Sequence, residues 1–325
     1  MHFKIALVLA SLACMASIVS PVAAQPGDWP TGPVRIVVGY PAGGPNDLIA
    51  RAIGQKLNTT LKQAVIIENR PGASGTIGSD YVARSAPDGY TLMLNSSTHA
   101  MVNALFDKLP FDADKDFTAI TEVGTSSLVL VVNPELPVHT VRDLIALARA
   151  SPGKYAFAST GSGSTPHLAG EMFKQTTGLD IIHVPYKGSA PAIVDLLSGQ
   201  VQIMFEVMPS AAPHIKSGKL RAIAVTTSTR NADMPELPTI SESGLPGYEV
   251  TVWWGIFAPA KMTAPLSDRI SKAVNATLTD PEIRERFAKL GIEPGGTTPR
   301  GFQTILQDDI AKYARIIKEG NIHAN

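Results

Sequence analysis

The chain has 325 residues, enough for one large domain or two modest ones. Lys plus Arg and Asp plus Glu balance at 28 each, so no global field recruits nucleic acid or an anionic membrane. Charged residues are only 17% of the chain, and 27 Gly with 25 Pro call for many short connections.

The first residues read as a secretory signal, 1–24. His2-Phe3-Lys4 gives a positive start, Ile5 to Val19 is mostly apolar, and Val22-Ala23-Ala24 offers a small-residue cleavage site before Gln25. The stretch is too short and wrongly flanked for a good spanning helix. The single cysteine, Cys14, lies inside it. A lipoprotein site would want Leu or a similar residue where Ser11 stands. Cleavage after Ala24 leaves no disulfide, thiol nucleophile or cysteine metal site. No later run is apolar over membrane length.

Val34 to Val38 is a β-branched apolar run that predicts a buried strand. Gly39 to Gly44 forces a tight loop, and Pro45 suits a first helical turn with Gly44 or Asn46 as cap. Leu48, Ile49, Ala52, Ile53 and Leu57 then share one helical face. Such a strand, Gly-rich loop and helix aims backbone N–H groups and a helix dipole at one point, where an anion can sit. The same stretch also reads as a compact turn and nothing more. Asp47 either complements the helix start or belongs to a ligand site.

Ala64 to Glu68 and Thr91 to Leu94 predict further strands, with a helix to Arg84 between them after the Gly-rich turn 69–75. The polar loop Asn95 to His99 sits at a strand's C-terminal end, where open α/β sheets bind ligands, or else it merely caps Ala100 to Leu105. Phe117 to Val123 and Leu128 to Val132 read as two strands split by Gly124-Thr125-Ser126-Ser127, where the chain leaves one lobe for another. Thr140 with Asp143 matches a capping box. Ala156 to Ala158, the loop Ser159 to Pro166 and a helix from His167 to Phe173 form a second strand–loop–helix of the first kind. Strands at Ile181–Val184, Val201–Phe205 and Leu220–Val225, with a helix from Pro191 to Leu197, complete a second series. Alternating strands and helices imply a mostly parallel sheet in each lobe. Val250 to Phe257 carries the chain back, and helices at 266–278, 282–290 and 302–317 cover it. Trp253 and Trp254 read better as core than as cleft lining.

Chemistry-bearing motifs are weak. Gly161-Ser162-Gly163 begins a dinucleotide fingerprint, but its sixth position is Pro166. There is no P-loop, Ser74 is outside a nucleophile elbow, and the histidines lack metal spacing. His167 either donates to a ligand or packs and caps; Lys187 either binds an anion or is simply solvated. No general base stands beside a nucleophile, so the loops suit holding a polar anion better than transforming one.

The runs YPAGGPNDLIAR, ENRPGASGTIGSDYVARSAPDGYTLML, STGSGSTPHLAGEMFK, HVPYKGSAPAIVDLLSGQVQIMF and SGKLRAIAVTT, with LPTISESGLPGYEV, resemble the Bug family over nearly the whole mature chain. These are periplasmic receptors of tripartite tricarboxylate transporters. The resemblance implies a type II periplasmic-binding-protein fold: two α/β lobes, here 25–125 with 245–325 and 126–244, holding a small organic acid between them. It implies that Tyr40, Pro41, Ala42, Gly43 and Gly44 with Asp47 pinch a carboxylate against Ser159, Thr160, Gly161, Ser164 and Thr165, with His167 beside them. Ser96, Ser97 and Thr98 and the segment Tyr186, Lys187 and Gly188 line the rest. The sequence departs from the family at Phe205-Glu206-Val207, where the family often has Asp followed by Asn or a small polar residue. Glu206 is thus either a rim carboxylate or a group facing the distal end of the ligand. The expected protein is a periplasmic monomer that binds a mono- or dicarboxylate without a cofactor, metal or nucleic acid. Its expected partners are the permease subunits of a tripartite tricarboxylate transporter. A carboxylate-acting enzyme or a sensor domain on the same scaffold is the alternative.

Overall fold

A computed structural model describes residues 29–232 and 234–323; the expected signal and its cleavage site lie outside them. The chain runs β1 (Val34–Val38), α1 (Pro45–Leu61), β2 (Val65–Asn69), α2 (Thr76–Ala83), β3 (Thr91–Ser96), a 3-10 turn and α3 (Val102–Leu105), β4 (Phe117–Val132) and α4 (Val141–Arg149). It continues through β5 (Ala156–Ser159), α5 (Thr165–Thr177), β6 (Ile182–Pro185), α6 (Ser189–Leu197), β7 (Ile203–Val207), α7 (Met208–Lys216) and β8 (Arg221–Val225). Then follow β9 (Thr251–Pro259), α8 (Ala264–Leu278), α9 (Pro281–Lys289), β10 (Glu293–Pro294) and α10 (Pro299–Glu319).

The strands form one mixed sheet in the order β2-β1-β3-β9-β4-β7-β5-β6, with β8 and β10 also on β4. The outer strands of each half are parallel: β2, β1 and β3 on one side, and β6, β5 and β7 on the other. Their C-terminal ends, and the loops that follow, therefore share an edge within each half. The middle is antiparallel, which corrects the expectation of mostly parallel sheets: β9 opposes β3 and β4, and β4 opposes β7 and β8.

β4 joins the two halves. Residues 117–127 pair with β9, and residues 128–132 pair with β7 and β8. The expected break at Gly124–Ser127 is absent, because these residues are laddered against Trp254–Thr251. Gly124 serves close approach: a Cβ there would stand 2.7 Å from Ile292 Cγ2 and 2.9 Å from the Glu293 carbonyl.

The apolar stripe of α1 buries Ile49, Ala52, Ile53 and Leu57 as expected, but Leu48 is 40% exposed. The Thr140–Asp143 capping box forms in full. Trp253 and Trp254 are core residues; the Trp253 indole N–H donates to Asp309 Oδ2 at 2.7 Å. α5 begins at Thr165, two residues before the expected start, because Ser164 caps it. α7, which the sequence did not announce, follows β7 directly. Glu206 lies inside β7, opposite Val129, and is fully buried; a solvated rim position is thereby corrected.

Candidate functional site

The first loop leaves β1 at Val38 and enters α1 at Pro45, whose missing N–H is harmless in a first turn. Gly44 is the N-cap and offers no side-chain cap, so the positive end of a 17-residue helix is left to other acceptors. Pro41, Ala42 and Gly43 are exposed. Asp47 is 2% exposed and braces this loop. Its Oδ2 accepts from Gly43 N at 2.9 Å and from Arg51 Nε at 2.9 Å. Burial alone would raise its pKa, but the hydrogen bonds from Arg51, Gly43 and Asn69 and the Arg51 charge together hold it below the ordinary carboxylate value. The Gly43 N–H is thus already used.

Asn46, which sequence reasoning passed over except as a cap, has a more exacting environment. The Trp254 indole N–H donates to its Oδ1 at 2.9 Å. An indole N–H only donates, so the amide orientation is assigned, and Nδ2 is left buried without a partner. Trp254 itself sits on β9 opposite Ser96 of β3 and Gly124 of β4. The Asn46 amide is therefore tied to β9, in the middle of the sheet.

The third strand supplies the neighbouring hydroxyls. Tyr40 Oη and Thr98 Oγ1 are 2.8 Å apart, and Thr98 Oγ1 and Ser96 Oγ are 2.6 Å apart. Asn69 Nδ2 donates to the Tyr40 carbonyl at 3.0 Å, which ties the loop to β2. Burial raises the Tyr40 pKa, so the phenol keeps its proton at neutral pH. His99 is not offered to solvent. It packs between Phe117 and Phe257, its Nε2 is 3.0 Å from the Ala113 carbonyl, and burial pushes it down to about 4.

The matching loop of the other half leaves β5 at Ser159. Ser164 Oγ donates to the Gly161 carbonyl at 2.7 Å, and Gly163 N–H donates to His167 Nδ1 at 3.0 Å. α5 then starts with Thr165 and Pro166, so both helices that face this region carry Pro in their first turn. Ser97 Oγ and Thr165 Oγ1 lie 3.2 Å apart, both buried. The two loop clusters thus meet directly.

The remaining expected residues are less joined. Tyr186 donates from its hydroxyl to Asp195 Oδ2 at 2.7 Å, and burial, then that bond and the Asp195 charge, push it up to about 12. Lys187 is exposed. Gly188 is the N-cap of α6. Glu206 Oε1 accepts from Ser189 Oγ at 3.0 Å and from Val207 N at 2.8 Å, while Oε2 is buried without a partner. Burial raises Glu206 to about 7 against the lowering effect of those two bonds. Ser189 and His183 are further residues the sequence did not single out. Their partners lie 17 and 24 residues away, and no local pattern marks them. Among the described residues no group of His, Cys, Asp and Glu is arranged to hold a metal. A groove of about 670 Å³, lined by residues from His139 to Gly244, carries none of the expected residues.

A mixed sheet in which Ser97 of one half meets the start of α5 in the other, with hydroxyls and amides around the contact, is suited to holding a small polar solute between its halves. The chain belongs to the tripartite tricarboxylate transporter family of receptors, whose pattern matches residues 49–322. It is 38% identical to protein BugT of Bordetella pertussis over 306 residues, 94% of this chain and 93% of that one. A solved structure of Rpa4515 from R. palustris with adipate is 36% identical, with a TM-score of 0.78 over 91% of this chain and 99% of that one. MatC from Rhodopseudomonas palustris with bound malate is 30% identical, with a TM-score of 0.74 over 89% of this chain and all of that one. The family consists of receptors, so the enzyme alternative falls. Receptors of this family are periplasmic, and among the described residues no helix is long and apolar enough to cross a membrane.

Proposed function

We propose that this chain captures a small dicarboxylate at the seam between two lobes, 25–125 with 245–325 and 126–244. It then presents the closed form to the permease subunits of a tripartite tricarboxylate transporter. The observation that carries the reading is the contact between the turn after β3 and the start of α5, where Ser97 Oγ and Thr165 Oγ1 lie 3.2 Å apart, the same turn reaching the first loop through Thr98 and Tyr40. Two positive helix ends on separate halves can share one carboxylate, and that is what drives closure, since only contacts better made in the closed form shift the population. Asn46 Nδ2 is a further buried donor beside the first helix start, and such a donor gains when a carboxylate reaches it. The relatives with adipate and malate make dicarboxylates the first class to try. The chain is taken as a monomer released into the periplasm by cleavage of residues 1–24.

Calorimetric titration with adipate, malate and their diamides tests this, with mass spectrometry of whatever acid copurifies. Stoichiometric binding of a carboxylate without turnover is expected. Binding of the diamides with equal affinity, or no acid bound and none copurified, would sink the reading.

A further inference from the structure

Two histidines hold the second loop from behind. His167, in the first turn of α5, lies face to face with His183 of β6, ring centroids 3.7 Å apart and planes 10° from parallel. Phe157 of β5 stacks on His183 at 4.9 Å. Gly163 N–H donates to His167 Nδ1 at 3.0 Å. A backbone N–H can only donate, so Nδ1 is an acceptor and the neutral ring carries its proton on Nε2. That Nε2 lies 3.9 Å from Glu171 Oε1. At the other end of the loop, His183 Nε2 is 2.7 Å from Ser159 Oγ.

Gly163 is the point at which the ring acts. Its φ is +74°, and a Cβ there would stand 2.8 Å from Leu105 Cδ1. The chain therefore makes a left-handed turn pressed against α3, which belongs to the other half of the sheet. Just beyond, Thr165 meets Ser97. The imidazole acceptor, together with the bonds from Ser164 to the Gly161 carbonyl, fixes the stretch that makes both contacts.

We propose that His167 is a positioning residue for the ligand loop: its uncharged ring, backed by His183, anchors Gly163 so that the start of α5 is presented to a carboxylate, and protonation releases the anchor. This rests on the receptor reading above. An imidazolium would set Nδ1–H against Gly163 N–H, two donors at hydrogen-bond distance. The ionisable side chains facing the pair are Glu171 and Lys174 on α5, themselves joined at 2.9 Å, and His323 beyond α10. All line one pocket of about 350 Å³ behind the loop. Burial, then the His183 and Lys174 charges, push His167 down to about 3. Burial, then Lys174, pushes His183 down to about 4. The anchor is intact at neutral pH and fails on strong acidification.

The test is NMR of the whole ¹⁵N-labelled chain, with adipate as probe. We expect an unprotonated Nδ1 on His167 at neutral pH and a Gly163 amide that moves with the midpoint of the ring. If the protonated form binds adipate about tenfold more weakly, saturating adipate lowers that midpoint by about one pH unit, by linkage. Adipate titrates in the same range, so two variants at neutral pH supply the second arm. His167→Phe keeps a ring to stack and removes the acceptor; it should weaken adipate binding about tenfold, the scale of one lost hydrogen bond. His167→Gln, whose Oε1 can accept from Gly163, should restore most of that affinity. A Gly163 amide indifferent to the ring, or wild-type affinity in folded His167→Phe, overturns the proposal. Coupled titration of ring and amide without binding of adipate or malate would support the anchor and refute the carboxylate reading instead.

Discussion

Replacing Glu206 by Gln probes a carboxyl that β7 buries completely. In the folded chain its pKa is raised by burial to about 7, above its ordinary 4.5. Between these values the folded state holds a proton that the unfolded state has lost. The sign follows: the protonated group is fully compatible with folding below about pH 4.5, and stability is lost as pH rises towards and through about 7. Integrated from about pH 5 to about pH 8.5, this one group costs roughly 2.5 kcal/mol. Gln keeps an oxygen for the Ser189 hydroxyl and the Val207 N–H, and it does not titrate. Its Nε2 replaces an unpartnered Oε2, which offsets both pH values equally. Urea melts of both proteins at the two pH values, extrapolated linearly, give the difference. We predict that Glu206→Gln gains on the natural chain by roughly 2–3 kcal/mol between low and high pH. Parallel pH profiles for the two proteins would refute a buried carboxyl titrating near neutrality.

Other expected outcomes concern the first loop and the leader. Gly44 has an extended backbone, and a Cβ there would meet only the Pro41 carbonyl at 3.6 Å, so Gly44→Val should fold normally. Calorimetry should nonetheless show adipate binding weakened at least tenfold, as about one charge-assisted hydrogen bond of roughly 1.5–3 kcal/mol is blocked. Wild-type affinity would remove this loop from the site. Asp47→Ala strips the acceptor from Gly43 N–H and Arg51; chemical denaturation should read a loss of about 1–3 kcal/mol, and a neutral result would contradict the bracing role. Intact-mass measurement of the secreted protein should begin at Gln25, and a species starting at a lipidated Cys14 would defeat the cleavage assignment.

Much of this architecture was legible because local rules and tertiary packing agree. The β-branched run Val34–Val38, the Gly-rich loop and Pro45 each point to the same βα unit, and all three are where expected. Gly124 misled because glycine signals a turn as readily as a close approach, and only the position of β10 reveals which applies. The apolar run to Phe205 puts Glu206 at a strand's C-terminal end, and it is the penultimate residue of β7; its complete burial beneath the ladder with β4 is what no local pattern shows. Leu48 has the right residue type but lies outside the buried stripe of α1. Long-range pairs were beyond reach altogether. Nothing near Asn46 announces an indole 208 residues away, and nothing near His167 announces a ring on an edge strand. Those partners determine which donors are free for a ligand and which are already used, so the loops could be named while the working atoms within them could not.

The most direct measurement is a crystal structure of the chain grown with adipate. We predict one carboxylate of adipate within about 2.7–3.2 Å of donors in the first turns of both α1 and α5, with Asn46 Nδ2 among them. Adipate lodged in the groove between His139 and Gly244, or held by one half of the sheet alone, would contradict capture at the seam.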